Sequence, residues 1–260
     1  MESWVLIVAG LFGLVFGSFL NVCIYRIPRE KSLMWPPSTC PQCNVRIKWY
    51  DNIPFVSYVF LLGKCRRCKK PISIQYPLIE LLTAVLTVLF VWRFGISVWT
   101  FVVLPAVYAL ITLSMIDFEF MIIPDRFSLG LIGWGLLFAW ANPNFAGAWW
   151  QKELYALLGG TIGLFGVLAI ALIGTWIFGK EAMGGGDVKL MGGVGALIGW
   201  KGVITTLVFA SFLGLIYSII LMIFKGKKRT DAIPFGPFLS MGALINLWTL
   251  ITPGMLAIEL

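Results

Sequence analysis

The sequence predicts an all-α polytopic membrane protein of about eight transmembrane helices with one long cysteine-bearing loop, and three observations carry that prediction. Apolar residues fill 59% of the 260 positions and charged ones only 12%, giving a mean hydropathy of +0.91. The apolar residues fall in blocks of about 20, the length that crosses about 30 Å of hydrocarbon. The 20 Lys and Arg and the 12 Asp and Glu lie mainly between those blocks. A formal charge of +8 would suggest nucleic acid in a soluble chain. Here the basic residues sit in connecting segments, as cytoplasmic loops do under the positive-inside rule, so the expected partner is membrane lipid and no nucleic acid. The chain has no histidine, which removes Ser-His-Asp and Cys-His catalysis and every histidine-ligated metal site. Any hydrolytic chemistry must rest on carboxylates, thiols, hydroxyls or lysine.

The first span is predicted over 4–24. It is not a cleavable signal, because Glu2 stands where a basic start is needed and Arg26, Arg29 and Lys31 follow the apolar run. A polar loop occupies 25–75, and the second and third spans, 76–94 and 98–117, are joined by a turn around Gly95. After the acidic connector 118–124 comes a fourth span, 125–142, then an interfacial segment marked by Asn142-Pro143-Asn144 and Trp149-Trp150. The fifth span is 152–178; the sixth, 188–200, is glycine-rich and short; the seventh is 202–224. The basic loop 225–229 precedes an eighth, 235–256. With the N-terminus outside, seventeen Lys and Arg fall inside, ten of them in the loop 25–75, against Arg93, Lys152 and Lys201 outside. That asymmetry sets the orientation and places Asp117 and Asp187 at the cytoplasmic face.

The stretch Gly184-Gly185-Gly186-Asp187-Val188-Lys189-Leu190 is the strongest candidate for chemistry. Glycines let another backbone or a substrate approach closely, and Asp187 falls near a helix N-terminus, where the dipole favours a carboxylate. An ionisable residue at a membrane boundary is a functional candidate once a partner is named. Three carboxylates near the end of the third span compete for that part. Asp125 follows Pro124 and reads as an N-cap; Glu119 reads as a solvated connector residue. Asp117 continues in register from Leu113-Ser114-Met115-Ile116 and has no structural reason to be charged, so it is the choice. Two aspartates at one membrane face hold one proton between them, as in aspartic proteases: one donates to a scissile carbonyl, the other takes a proton from water. A proton or cation relay in a transporter satisfies the same pair. Lys189 reads as a lysine snorkelling to the interface, or as a cation that keeps Asp187 ionised.

Cys40-Pro-Gln-Cys43 and Cys65-Arg-Arg-Cys68 are two CxxC pairs separated by twenty-one residues. The spacing is that of a tetrathiolate zinc site with a slightly long spacer, and four thiolates leave no open position, so Zn2+ here is structural. Disulfides do not suit a cytoplasmic loop. Cys23, at the membrane edge, reads as a small apolar residue.

Further segments carry a resemblance. They are Gly17-Ser18-Phe19-Leu20-Asn21-Val22 with Arg26-Ile27-Pro28, the two CxxC pairs, Trp49-Tyr50-Asp51-Asn52-Ile53-Pro54, Gly63-Lys64-Cys65, Ile72-Ser73 and Tyr76-Pro77. Ile116-Asp117 with Pro124-Asp125, Met183 to Leu190, and Ile233-Pro234-Phe235-Gly236-Pro237 complete the series. Together they resemble the type IV prepilin peptidases, bacterial leader peptidase/N-methyltransferases of the GxGD intramembrane aspartyl protease type, over nearly the whole chain. The resemblance implies an inner-membrane enzyme of type IV pilus or type II secretion systems. Such an enzyme cuts the basic leader from prepilins or pseudopilins after a glycine at the cytoplasmic face, then methylates the new N-terminal residue with S-adenosylmethionine. By motif, the catalytic pair falls on Asp117 and Asp187 and the zinc ligands on Cys40, Cys43, Cys65 and Cys68; a substrate-binding role for Gly184, Gly185 and Gly186 follows from their lack of a side chain. The division implied is 1–75, the first helix with the methylation-associated tetracysteine loop, and 76–260, the membrane-embedded peptidase. No glycine-rich methyltransferase fingerprint is present; Asp51, Asn52 and Glu80 are polar candidates there, and they read equally as a turn and a helix-start carboxylate. Gly236-Pro237 reads as a bent helix start or as a lining of the cleft near Asp187. Besides the transporter, a zinc-stapled assembly scaffold without catalysis is the remaining reading.

Overall fold

A computed structural model describes residues 2–181, 183–225 and 233–249. Among them the chain is helical throughout, with no strand beyond two isolated bridges in the cysteine loop. It divides into two compact units, Met1–Thr100 and Phe101–Leu260.

In the first unit, α1 (Ser3–Arg26) and α3 (Gln75–Phe94) pack along one another, with the short α2 (Val56–Phe60) in the loop between them. Small residues set that contact. A Cβ on Gly13 would stand 2.6 Å from the Ala84 Cα, and one on Gly17 would stand 2.6 Å from the Glu80 Cα, so only glycine admits this approach. Lipid is as apolar as leucine, so close backbone packing is what holds two membrane helices together. Thr83 and Thr87 fold their hydroxyls back onto the carbonyls of Ile79 and Thr83 at 2.7 Å, hiding polar groups inside the helix. Ile7, Leu11 and Val15 point outward, as lipid-facing side chains do.

The second unit contains most of α4 (Val98–Phe120), then α5 (Asp125–Leu137), α6 (Trp149–Thr161), α7 (Val167–Phe178), α8 (Gly185–Lys225) and α9 (Gly236–Trp248). A π-helical turn, Ile162–Gly166, joins α6 to α7 without a break. The middle of α4 is mostly buried, with Val103, Ala106, Val107, Leu110, Leu113 and Ile116 fully so and Pro105 exposed. The first part of α8 is buried nearly all round and lies against α5 and α6, while the part after Gly199 meets α9 through Thr205, Thr206 and Asn246. At Gly199, φ 74° and ψ 173° break α8 into 185–198 and 200–225. Such a break frees carbonyls that lipid cannot satisfy. The buried Asn142 amide donates to one of them, Leu197 O, at 2.7 Å.

The α6–α8 contact is closer still: a Cβ on Gly159 would collide with the Gly195 carbonyl oxygen, and the reverse. Backbone cannot yield as a side chain end does. Gly195→Ala is therefore expected to destabilise the second unit by about 1–3 kcal/mol, the usual cost of overpacking. A thermal unfolding midpoint in detergent, unchanged from wild type, would contradict this.

The predicted spans are recognisable as eight helical stretches, counting α6 through α7 as one and α8 as two. Among the described residues, five stretches are long and apolar enough to cross a membrane: Ser3–Arg29, Gln75–Phe94, Val98–Phe120, Trp149–Phe178 and Gly185–Phe224. The fourth predicted span is shorter than expected, because α5 has 13 residues and ends at Leu137 ahead of a 3-10 turn, Ala139–Ala141. The last part of the eighth, 250–256, and the loop residues 226–229 lie outside the described residues. The third predicted span, α4, runs through Phe120, so Glu119 belongs to the helix and not to a connector. The helix after the glycine run starts at Gly185, so two of its three glycines are already helical.

Candidate active site and cysteine cluster

Asp117 sits in the last turn of α4, which the Met121 N–H closes onto the Asp117 carbonyl at 2.8 Å. Its side chain is buried, and Oδ2 accepts the Gly236 N–H at 2.9 Å. That donor is the first residue of α9, set in place by Pro237 behind it. Asp187 lies in the first turn of α8, where its own N–H and that of Val188 bond to the Gly184 carbonyl at 3.1 and 3.4 Å. The two carboxylates, seventy positions apart, are close enough to interact electrostatically. Ile123 fills the space beside them: a Cβ on Gly186 would come within 2.9 Å of its Cβ, and one on Gly236 within 3.2 Å of its Cδ1. Three segments of the second unit therefore converge, the α4 end with the loop behind it and the starts of α8 and α9.

One oxygen in this group has no partner among the described residues: Asp187 Oδ1 is buried and makes no hydrogen bond to them. Buried polar atoms are almost always satisfied, and an exception marks a place where water, a proton or a substrate belongs. A carboxylate held by a backbone N–H beside another with a free oxygen is a sound acid–base pair.

Asp125 and Lys189 do something that neither sequence reading foresaw. Asp125 makes no side-chain cap; Pro124 holds the N-cap position. Lys189 Nζ instead bonds both Asp125 oxygens at 2.8 Å. The pair is half exposed, at 40% and 57% of the side chains, and such pairs contribute about 0–1 kcal/mol. Lys189 is thereby turned to Asp125 and not to Asp187. Gly236 is the helix start that the sequence offered as one of two readings, and it also reaches Asp117 through its backbone N–H, a contact the sequence did not foresee.

In the first unit, Cys40, Cys43, Cys65 and Cys68 bring their four Sγ atoms within 4.8 Å of one another, so they can hold a metal ion. Each pair sits on the same turn. Asn44 N–H donates to Cys40 O at 2.8 Å and Cys40 N–H to Val45 O at 3.0 Å; Lys69 N–H donates to Cys65 O at 3.0 Å and Cys65 N–H to Lys70 O at 2.9 Å. Both turns use a left-handed residue, Asn44 at φ 52° and Lys69 at φ 59°. A tetrahedral ion at about 2.3 Å from each sulfur needs sulfurs about 3.8 Å apart. Cys40 and Cys68 are 3.9 Å apart, which fits an ion and is too long for a disulfide. Backbone N–H groups of Cys68 and Arg67 pull the Cys65 thiol down to about 6, toward the thiolate that binds metal. Cys23 is buried among apolar neighbours, as a small hydrophobe would be.

The three polar candidates of the first unit separate. Asn52 ends the 3-10 turn Trp49–Asn52. Asp51 pairs with Arg66. Glu80 is buried on α3, where it hydrogen-bonds Ser18 of α1 and accepts the Phe55 N–H at 2.7 Å.

A helical membrane protein with an apposed aspartate pair in one unit and a four-thiol cluster in the other is the class that fold and site define. Two family models match the chain: the bacterial peptidase A24 N-terminal domain over residues 11–94 and the type IV leader peptidase family over residues 103–219. Curated relatives carry the name prepilin leader peptidase/N-methyltransferase. The one from Pseudomonas putida is 33% identical over 95% of this chain and 91% of its own. Those from Xanthomonas campestris and Legionella pneumophila are 35% and 34% identical over 92% and 93% of this chain, and over 90% of their own lengths. No solved structure matches significantly. The chain belongs to the type IV leader peptidase family.

Proposed function

We propose that this chain is a membrane aspartyl endopeptidase that removes the leader peptide from type IV prepilins or pseudopilins and N-methylates the residue that cleavage exposes. The observation that carries the hydrolytic half is the meeting of Asp117 and Asp187 with one buried oxygen left free. The ionised aspartate takes a proton from water as the water oxygen attacks the scissile carbonyl carbon, and the neutral one gives its proton to the carbonyl oxygen. When the tetrahedral intermediate collapses, the C–N bond breaks and the amine leaves with a proton from the pair. Gly184, Gly185 and Gly186 line the approach, where the lack of side chains lets a peptide backbone come near Asp187. The transporter reading has no support among relatives or geometry.

The N-terminus lies outside and the aspartates face the cytoplasm of a bacterial inner membrane, as the distribution of Lys and Arg supports. The division of labour is one of chemistry: 1–75 serves methylation and 76–260 hydrolysis, even though α3 packs on α1. Cys40, Cys43, Cys65 and Cys68 hold a structural Zn2+. S-adenosylmethionine supplies an electrophilic methyl group to the methylation.

Incubation with a synthetic prepilin, with and without S-adenosylmethionine, read by mass spectrometry, tests both halves at once. Leader loss is expected in each arm and the mass of one added methylene only with the donor; an intact prepilin in both would overturn the reading. Metal analysis tests the cluster separately. About one equivalent of zinc is expected in the wild type, as for a closed four-thiolate site, and well under one in a Cys40→Ser, Cys65→Ser variant.

A further inference from the structure

The proposed hydrolysis leaves unused an open cleft of about 400 Å³ in the first unit, within the loop that carries the cysteines. Small-molecule sites span about 300–1,000 Å³, so a ligand of modest size fits it. Tyr50, Asp51 and Arg66 line it together with Ile53, Val56 and Phe60, so polar and apolar groups share the wall about evenly. Arg66 grips both Asp51 oxygens through Nε and Nη2 at 2.7–2.9 Å. The Asp51 side chain is only 9% exposed, whereas Arg66 is 55% exposed and extends over the Tyr50 ring, Cζ 5.6 Å from its centre.

The wall is built in advance. The Ser57 hydroxyl accepts the Ile53 N–H at 3.1 Å and donates to the Tyr50 carbonyl at 2.8 Å. Phe55 stands at φ 58°, ψ −49°, a backbone state that persists only where surroundings impose it. Here the Glu80 carboxylate imposes it by holding the Phe55 N–H. A site whose turn is fixed by two independent anchors needs little ordering when a ligand arrives.

The chemistry of the lining selects the ligand. The Asp51–Arg66 pair is neutral as a unit, so a bare ion of either sign gains little from it, while a molecule bearing both signs and a flat ring can meet carboxylate, guanidinium, aromatic and apolar side chains together. We propose that this cleft receives S-adenosylmethionine, with Asp51 answering its positive charges, Arg66 its carboxylate and the Tyr50 side its ring. This inference rests on the reading of the chain as an N-methyltransferase.

Titration calorimetry of the full chain in lipid nanodiscs, with S-adenosylmethionine and no peptide, tests it by binding rather than by turnover. Asp51→Asn and Arg66→Gln are each expected to raise the dissociation constant about tenfold or more, the loss of one charge-assisted hydrogen bond. The double variant is expected to fall short of the product of the two, because the residues form one unit. Val56→Phe, which narrows the cleft and leaves the ion pair alone, is expected to weaken binding in the same way. Helix content by circular dichroism keeps misfolding apart from loss of the site. Wild-type binding with all three variants unchanged would overturn the cleft assignment alone. So would variants that bind the donor normally but lose affinity for the cleaved pilin peptide. A wild type that neither binds the donor nor methylates would overturn the methyltransferase reading and this inference with it.

Discussion

Replacing either Asp117 or Asp187 by asparagine is expected to abolish leader cleavage, lowering kcat/KM by about 10³-fold or more, since neither half of an acid–base pair works without the other. The variants should fold. Asparagine at 117 keeps an oxygen for the Gly236 N–H, and asparagine at 187 matches the aspartate in size and removes only its charge. The unfolding midpoint of each variant should therefore stay close to that of wild type, within the effect of about 1 kcal/mol. Asp125→Asn and Glu119→Gln are expected to retain most of the activity: the first loses only a half-exposed pair with Lys189. Cleavage of a synthetic prepilin, followed by mass spectrometry beside a thermal unfolding scan, reads both quantities. Full cleavage by Asp187→Asn would end the aspartyl mechanism for this chain.

Gly236→Ala is the second large effect, and it tests geometry in place of charge. A Cβ there would stand 2.8 Å from Asp117 Oδ2 and 3.2 Å from both Asp117 Cγ and Ile123 Cδ1. The atom that must move is the end of a side chain, so folding is affected little. The movement falls on the carboxylate that does the chemistry. A displacement of about 1 Å in a catalytic group costs about 10²-fold. Cleavage is therefore expected to drop by about that factor while the unfolding midpoint shifts little, as for changes of about 1 kcal/mol or less. A midpoint that collapses in step with activity would mean that Gly236 serves packing alone.

The architecture was largely legible because membrane solvent writes itself into composition: apolar blocks of crossing length announce helices without any need for periodicity. The choice of Asp117 over Asp125 and Glu119 came from a topological argument, and the structure brings Asp117 and Asp187 within electrostatic reach. The four cysteines were legible because metal spacing is local. What stayed hidden involved backbone or distance. The Gly236 N–H that holds Asp117 belongs to a residue 119 positions away and has no side chain to betray its role. The Lys189–Asp125 pair spans 64 positions, and from sequence each partner had a cheaper local explanation. The break in α8 at Gly199 was legible to within two residues, as the boundary between the spans 188–200 and 202–224, but the Asn142 amide that satisfies Leu197 O comes from 55 positions away and was not. Asp51 and Glu80 read as a turn and a helix start because their partners, Arg66 and Phe55, come from the far side of a loop.

The shortness of α5 bears on how the reaction obtains its water. Its 13 residues rise about 20 Å, some way short of the about 30 Å of a hydrocarbon layer. Its first residue, Asp125, is tied to Lys189 two positions beyond Asp187, so the start of this stub lies at the level of the aspartates. Either that end is sunk below the headgroups or the far end is. Leu129 and Leu137 on its outer side then meet acyl chains that have to thin to match it. Where the sunk end is the one beside the aspartates, lipid thins on that side, and a polar leader and a water molecule have less hydrocarbon to cross on the way to Asp187.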